Sequence, residues 1–571
     1  MNTTPTPRLR STDSRLLRRP VVALLSLLIA FGSWAGTAWA DTPFGETVDV
    51  RLVNLEVVVT EKGERVHGLG PDDFVLTVDG QEMPIDFFTE VAGGTAIRTM
   101  TSEDAPAPAV LKGEPVPTSY LVFIDEFFSD KIDRDRTLKA MIDQLPSLVG
   151  GDRMAVVAYN GNGVDMLADW TGDIGELTNV LSSATQRRSL GLEWGLEEKN
   201  YEGGRQRRIR DEAFIAGAGR RSYQPGDPLN PLAVGLSIEE RQFADRIENA
   251  TERAVDAAAA TLRGFSQPNG RKVMLLLAGG WPSEAARWVA PEPSRAEDRN
   301  RLLQGRALLE PLVETANLLG YSIYPVDVPG IDSLTIGADT GSVAEQEALR
   351  ERSQFREQEE ELALLELAQE TGGEAYLDGS RDNALGRVVS DTRSYYWLGF
   401  SPTWQENDSR HDVRVKLRDK GLKVRARRSF TDLSQSSKVT MLTESTLLFR
   451  DAPDILPLTA SFGASEKAGI GKREIPLSVD IPVDHVTFLP TPDGYQADLE
   501  LRVAVIDENG NRADVPVTPI SYKTERLPEK DEVATYETRV KMRKMRHDVV
   551  VSLYDRLSGK LLSTRLTAAK L

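Results

Sequence analysis

The sequence predicts an α/β protein. Its centre is a doubly wound, mostly parallel sheet, flanked by a small antiparallel β-module and a C-terminal β-sandwich. Three observations predict it. Continuous apolar runs at 120–124, 154–159, 273–277 and 321–326 have the length and character of strands buried on both faces. Amphipathic helical patterns separate them, and that alternation is the signature of parallel crossover units. Strands with alternating polarity precede residue 100 and return after residue 394.

The N-terminal forty residues carry Arg8, Arg10, Arg15, Arg18 and Arg19, then an apolar stretch from Val21 to Phe31. Ala38-Trp39-Ala40 places small residues before a cut at Asp41. This is the layout of a secretory signal peptide. A membrane anchor is the competing reading, but the run is shorter than the about 20 residues a span needs. Arg18-Arg19 is followed at once by proline and reads as an ordinary basic segment. We therefore expect export to the periplasm or beyond the cell. After residue 40 no apolar run is long enough to cross a membrane.

Composition narrows the chemistry. The chain has no cysteine, so disulfides, thiolate metal sites, cysteine nucleophiles and lipidated cysteine are excluded. Removing five arginines and one aspartate with the leader takes the net charge from −18 to −22. Such an acidic surface repels phosphate backbones and argues against nucleic acid as a partner. The remaining roughly 530 residues suffice for about three domains.

Taken in order, residues 41–100 read as the β-module. Val48, Val50, Leu52, Leu55, Val57 and Val59 show period-two patterning with one slip near Asn54. Glu61-Lys62-Gly63-Glu64 and Asp79-Gly80 are turn signals. Four prolines make 101–118 a linker. From 119 to 393 strands and helices alternate. Tyr120–Ile124 ends at Asp125. Leu138, Met141, Ile142 and Leu145 mark one helix. Met154–Tyr159 is a buried strand, with Val164–Trp170 as an edge strand beside it. Phe243, Ile247, Ala250, Ala254, Ala257 and Thr261 mark a long helix. Val273–Leu277 follows, then a helix near 302–319 and the strand Tyr321–Val326. A charge-rich helix is expected to turn Leu362, Leu365 and Ala368 inward, before a short strand Glu374–Leu377.

Strands at 395–400 and 411–430, the latter pair turned by Lys420-Gly421, are expected to join the N-terminal module. Residues 432–471, rich in Ser, Thr and Gly, read as a connector. From 472 to 571 the short alternating strands read as a β-sandwich.

In doubly wound sheets ligands sit beyond the carboxyl ends of the strands. Those positions hold Asp125-Glu-Phe-Phe-Ser129, Ala278-Gly279-Gly280-Trp281 and Asp327. With these loops the chain resembles a von Willebrand factor A domain, and more closely the VWFA-related family of exported bacterial proteins. The resemblance covers about residues 47–431. It is carried by Leu52-Val-Asn-Leu-Glu-Val-Val-Val-Thr60, Gly68-Leu-Gly-Pro-Asp-Asp-Phe74, Phe123-Ile-Asp125 and Gly270-Arg-Lys-Val273. Ala368-Gln-Glu-Thr-Gly-Gly373, Ser394-Tyr-Tyr-Trp-Leu-Gly-Phe-Ser-Pro402 and Gly421–Arg428 complete it.

The resemblance implies a divalent cation held by an Asp-x-Ser-x-Ser loop, a second-loop Thr and a third-loop Asp, with one position open to a partner's carboxylate. Here Asp125 and Ser129 remain, but Phe127 replaces the first Ser and Gly279 the third-loop Asp. Thr185 and Thr251 are weak second-loop candidates. Two of about five oxygen ligands do not hold Mg²⁺ or Mn²⁺ firmly. The site reads as degenerate and no cofactor is expected, with a non-standard Mg²⁺ or Mn²⁺ site as the alternative. In the degenerate reading Asp125 caps the following helix or accepts from loop amides.

Between about 185 and 242 lies an insertion the fold does not need. It interleaves Arg187, Arg188, Arg207, Arg208 and Arg210 with acids, Trp194 and Tyr201. Arginine and aromatic residues are what protein-binding hot spots are made of; a solvated mixed-charge insertion is the other reading.

Catalysis has little to stand on. His67, His411, His485 and His547 all fall in the predicted β-modules. No nucleophile elbow, phosphate loop or zinc motif appears. The expected function is thus an exported, non-enzymatic protein-binding or scaffold protein. The alternatives are a metal-dependent adhesion domain and, more weakly, an unrecognised hydrolase.

Overall fold

The computed structural model describes residues 8–9, 53–101, 110–218, 238–265, 270–289, 305–328, 343–402, 405–419, 421–448, 456–469, 471–508, 515–530 and 532–569. Of the expected leader only Arg8–Leu9 is among them, as a two-residue strand against Ala534 and Thr535. The rest of that segment and linker residues 102–109 lie outside the described residues. So do insertion residues 219–237, which include Arg220, Arg221 and Tyr223.

The chain is a mixed α/β protein with several sheets, one of them mostly parallel. That sheet has the order Val164–Thr171, Arg153–Tyr159, Thr118–Asp125, Arg271–Ala278, Tyr321–Asp327. The last four strands are parallel, and Val164–Thr171 is an antiparallel edge. Every residue of Thr118–Asp125 is buried, because successive side chains point into two different cores. Leu121 and Phe123 pack with the helices Ile238–Gly264, Arg306–Leu319 and Val343–Thr371. Tyr120, Val122 and Ile124 pack with Lys131–Gln144, Ile174–Ala184 and Ala384–Asp391. The six apolar and small positions read along 243–261 are all buried.

The strand Tyr395–Phe400 lies between Val53–Glu61 and Phe87–Ala92, with Trp397 opposite both Glu56 and Thr89. A second sheet joins Ser429–Asp432, Ser409–Leu417, Phe74–Val78 and Gln81–Met83. Strands from both ends of the α/β region thus enclose one apolar core, including Leu55, Val57, Phe74, Phe88, Tyr396 and Leu398. Lys62 and Gly63, like Asp79 and Gly80, take positive φ, as two-residue hairpins require. After residue 456 two mostly antiparallel sheets, with one parallel pair between Leu456–Pro457 and Leu561–Ala568, face each other over a core that includes Leu477, Val479, Leu501, Val551 and Leu553.

Four local expectations are corrected. Ala368 is buried as expected, but Leu365 is only half-buried and Leu362 is exposed, and the helix buries Ala363, Leu364 and Leu367 beside Ala368; an apolar run this dense fits more than one helical face. The strand expected at Glu374–Leu377 is a single bridge from Tyr376 to Val326. The two strands either side of Gly421 enter different sheets, Lys423–Arg425 pairing with Val53–Glu61 and Ser409–Leu417 with Phe74–Val78.

The fourth correction concerns 432–471, which holds the helix Gln435–Leu448 and short strands. Val439, Thr443 and Leu447 form its buried stripe, and Thr443 and Ser445 satisfy their hydroxyls on carbonyls four residues back. Arg263 donates to Met441 O and Ser445 Oγ, while buried Arg502 donates to Thr440 Oγ1 and Ser436. The helix therefore binds the α/β region to the C-terminal sheets. Among the described residues no helix is long and apolar enough to cross a membrane.

Candidate functional site

The carboxyl edge of the parallel sheet brings together the ends of three strands. Asp125 closes the first and is fully buried. Its Oδ1 accepts from the amides of Phe127 at 2.8 Å and Phe128 at 3.2 Å. Its Oδ2 accepts from the indole Nε1 of Trp281 at 2.8 Å. Burial pushes the Asp125 carboxyl up to about 6, with the three hydrogen bonds pulling the other way. Ser129 is also buried, and its Oγ has no hydrogen-bond partner.

The third loop comes within contact distance of the first. A Cβ on Gly279 would stand 2.6 Å from Phe128 O and 2.8 Å from Ser129 Cα. No side chain fits there, so the aspartate a cation site needs at this position has no room. The weak second-loop candidates are engaged elsewhere. Thr185 donates to Ser182 O at 2.7 Å and Thr251 to Pro282 O at 3.2 Å. Among the described residues no three His, Asp or Glu side chains are grouped as ligands. This donor set does not fit Mg²⁺ or Mn²⁺. A cation reaching Asp125 would have to displace an indole and two amides, all of which present hydrogens to it.

Glu126, next in sequence, anchors the start of the insertion. Arg187 donates to it twice, at 2.7 and 3.0 Å, and also reaches Asp165 Oδ2 at 2.6 Å. Fully buried Arg134 lies 3.5 Å from Glu126 and donates to Arg187 O at 2.8 Å. Leu190 N donates to Glu126 O, and Ser189 Oγ to Ser129 O. The helix Gly191–Ala218 then begins against Ser129, so closely that a Cβ on Gly191 would fall 2.3 Å from Ser129 O.

That helix lies over the aromatic residues of the first loop. Trp194 has ring centroids 5.6 Å from Phe127 and 5.5 Å from Phe128, and stacks on Phe243 at 6.3 Å; Tyr201 stacks on Phe243 at 4.1 Å. Buried Glu198 accepts from Trp288 Nε1 at 3.0 Å, with the Arg356 guanidinium 4.9 Å from the same indole. The sequence-stated binding candidates thus divide. Arg187, Trp194 and Tyr201 hold the insertion to the sheet edge. Arg188 is 74% exposed beside Glu193, and Arg207 is exposed. The side chains of Arg208 and Arg210 lie outside the described residues. Leu192 and Leu196, not singled out by the sequence reading, are exposed one turn apart on the outer face.

Trp281 is the residue whose role the sequence did not give. Its signal was its place just beyond a strand's carboxyl end. Asp327, which ends the last strand, lies 3.9 Å from Arg381. The four histidines stay in or beside the antiparallel sheets. His411 meets Asp79 at 2.7 Å, His67 faces Glu90 at 3.6 Å, His547 contacts Met545 O and His485 neighbours Asp484.

A five-stranded, mostly parallel sheet with its first-strand aspartate closed over by aromatic residues defines the class of fold and site. No family model matches the chain, and no curated protein matches it. Among solved structures it aligns with the ArnB paralog VWA2 from Sulfolobus acidocaldarius at 8% identity and TM-score 0.20, over 87% of this chain and 74% of that one. It aligns with the TFIIH p34 N-terminal domain at 10% and 0.19, over 48% and 97%. A calcium-binding mutant of Bacteroides uniformis β-glucuronidase 2 aligns at 14% and 0.15, over 20% of this chain. The chain spans only 13% to 20% of the Bacteroides glycosidases it aligns with. At such scores these likenesses carry nothing about activity.

Proposed function

We propose that this chain is an exported, non-enzymatic protein-binding or scaffold protein. In this reading its α/β region is of the von Willebrand factor A kind, with a metal site given over to structure. It works in the periplasm or outside the cell. The observation that carries the reading is the engagement of both Asp125 oxygens by protein N–H groups, with Gly279 packed where a further ligand would stand. Recognition moves from the metal to the outer face of the insertion helix, where Leu192 and Leu196 stand exposed with Arg188 and Arg207 nearby in sequence. Exposed apolar residues paired one turn apart are suited to a protein surface.

A photo-crosslinking residue at position 196 in cells tests this. A discrete protein adduct should form with or without a chelator, and should be lost with Leu192→Glu. An adduct that a chelator abolishes contradicts the reading. Mass spectrometry of the exported chain should find an N-terminus at Asp41. A metal-dependent adhesion site remains the second reading, favoured by one observation: the partnerless Oγ of Ser129.

A further inference from the structure

A cavity of about 730 Å³ opens at the opposite, amino-terminal edge of the parallel sheet, against the antiparallel strands. Its size is that of a small-molecule site. Lys272 and Tyr321 stand side by side there in parallel register, with Lys272 Nζ 5.6 Å from the tyrosine ring centre. Arg427 is 4% exposed and donates from Nη1 to Asn317 O at 2.8 Å. Gly320 ends the preceding helix in the left-handed conformation, at φ +75°. A Cβ placed on it would lie 3.9 Å from Arg427 Nη2 and 4.0 Å from Lys272 Nζ. Two cations therefore flank one point of the cavity wall.

Holding like charges together in a half-buried place is costly. Burial, and then Arg427, bring the Lys272 ammonium down to about 8. The lining carboxylate of Glu56 is engaged by Ser322 Oγ at 3.0 Å and lies 3.7 Å from Arg271. Lys272 and Arg427 face the Glu56 carboxylate, while lining Lys438 is paired with Glu406 at 3.4 Å. Trp397 and Phe430 supply apolar wall, while the buried Oδ1 atoms of Asn54 and Asn317 have no hydrogen-bond partner.

We propose that this cavity binds a small organic carboxylate of single negative charge. Its carboxylate sits between Lys272 and Arg427, and its apolar or aromatic body lies against Trp397 and Phe430. Glu56 already offsets part of the charge of both Lys272 and Arg427, which favours a monoanion over a phosphate dianion. The site is independent of the carboxyl-edge reading, since no residue is shared.

The test is calorimetric titration of the full chain with benzoate and 4-hydroxybenzoate, with benzamide and phenyl phosphate as controls. The carboxylates should bind saturably, and benzamide at least about tenfold more weakly, the loss expected for one charge-assisted hydrogen bond. Lys272→Gln should weaken benzoate by a similar factor and leave benzamide unchanged. No saturable carboxylate binding, equal binding of benzamide, or tighter binding of phenyl phosphate would overturn the proposal. Should Lys272→Gln fold poorly, acetylation of Lys272 in the unmutated chain, followed by mass spectrometry, replaces it. Benzoate should slow that acetylation several-fold, and an unchanged rate would count against the site.

Discussion

The indole N–H of Trp281 donates to Asp125 Oδ2 at 2.8 Å across 156 residues of chain. It joins the first strand's carboxyl end to the loop after the neighbouring strand. Trp281→Phe should leave a buried carboxylate oxygen without its donor and lower stability by about 1–3 kcal/mol. Denaturant unfolding measures this; a loss within about 0.5 kcal/mol would show the bond to be incidental.

The pH dependence has a definite sign. Burial raises the Asp125 carboxyl from 3.8 to about 6, so the folded chain holds that proton more tightly than the unfolded chain. The contribution is present below about 4, falls as pH rises through the window to about 6, and is gone above it. Relative to Asp125→Asn, the unmutated chain should lose up to about 3 kcal/mol across that window. A flat difference between the two would mean the carboxyl titrates normally.

Gly279→Asp restores the residue type a third-loop ligand would need, yet its Cβ would meet Phe128 O at 2.6 Å. The expected result is a destabilised protein, by about 2 kcal/mol or more, that gains no Mg²⁺ affinity. Thermal melts with and without millimolar Mg²⁺ would reveal the opposite outcome, a variant stabilised by the metal.

Arg187→Met should cost about 2–3 kcal/mol, because Glu126 is 2% exposed and loses a twofold charged donor. Adding Glu126→Gln should recover part of that loss, and the double-mutant cycle gives the coupling. Independent, additive losses would show that the pair does not anchor the insertion.

The sequence reading worked where one side chain's type decides the outcome locally. Tyr120–Ile124 can only be a strand between two cores, and 243–261 only a helix with one buried stripe. It failed where several solutions share one composition. The run around Leu362 offers two apolar faces, and Ser and Thr hide the helix 435–448 because its hydroxyls bond backward to the chain. At the site, Asp125 and Ser129 were legible from their place at a strand end. The partners of Asp125 were not, since Trp281 meets it only once the sheet is assembled. Nor does the spacing tell that Arg187, 61 residues from Glu126, is committed to an internal ion pair rather than exposed for a partner.

The most direct measurement is calorimetric titration of the chain with Mg²⁺, Mn²⁺ and Ca²⁺, run beside Asp125→Ala. With Asp125 held by Trp281, Phe127 and Phe128, no saturable heat and no shift in Tm are expected at millimolar metal. Saturable binding that vanishes in Asp125→Ala would contradict the account and make Asp125 the ligand of a working metal site.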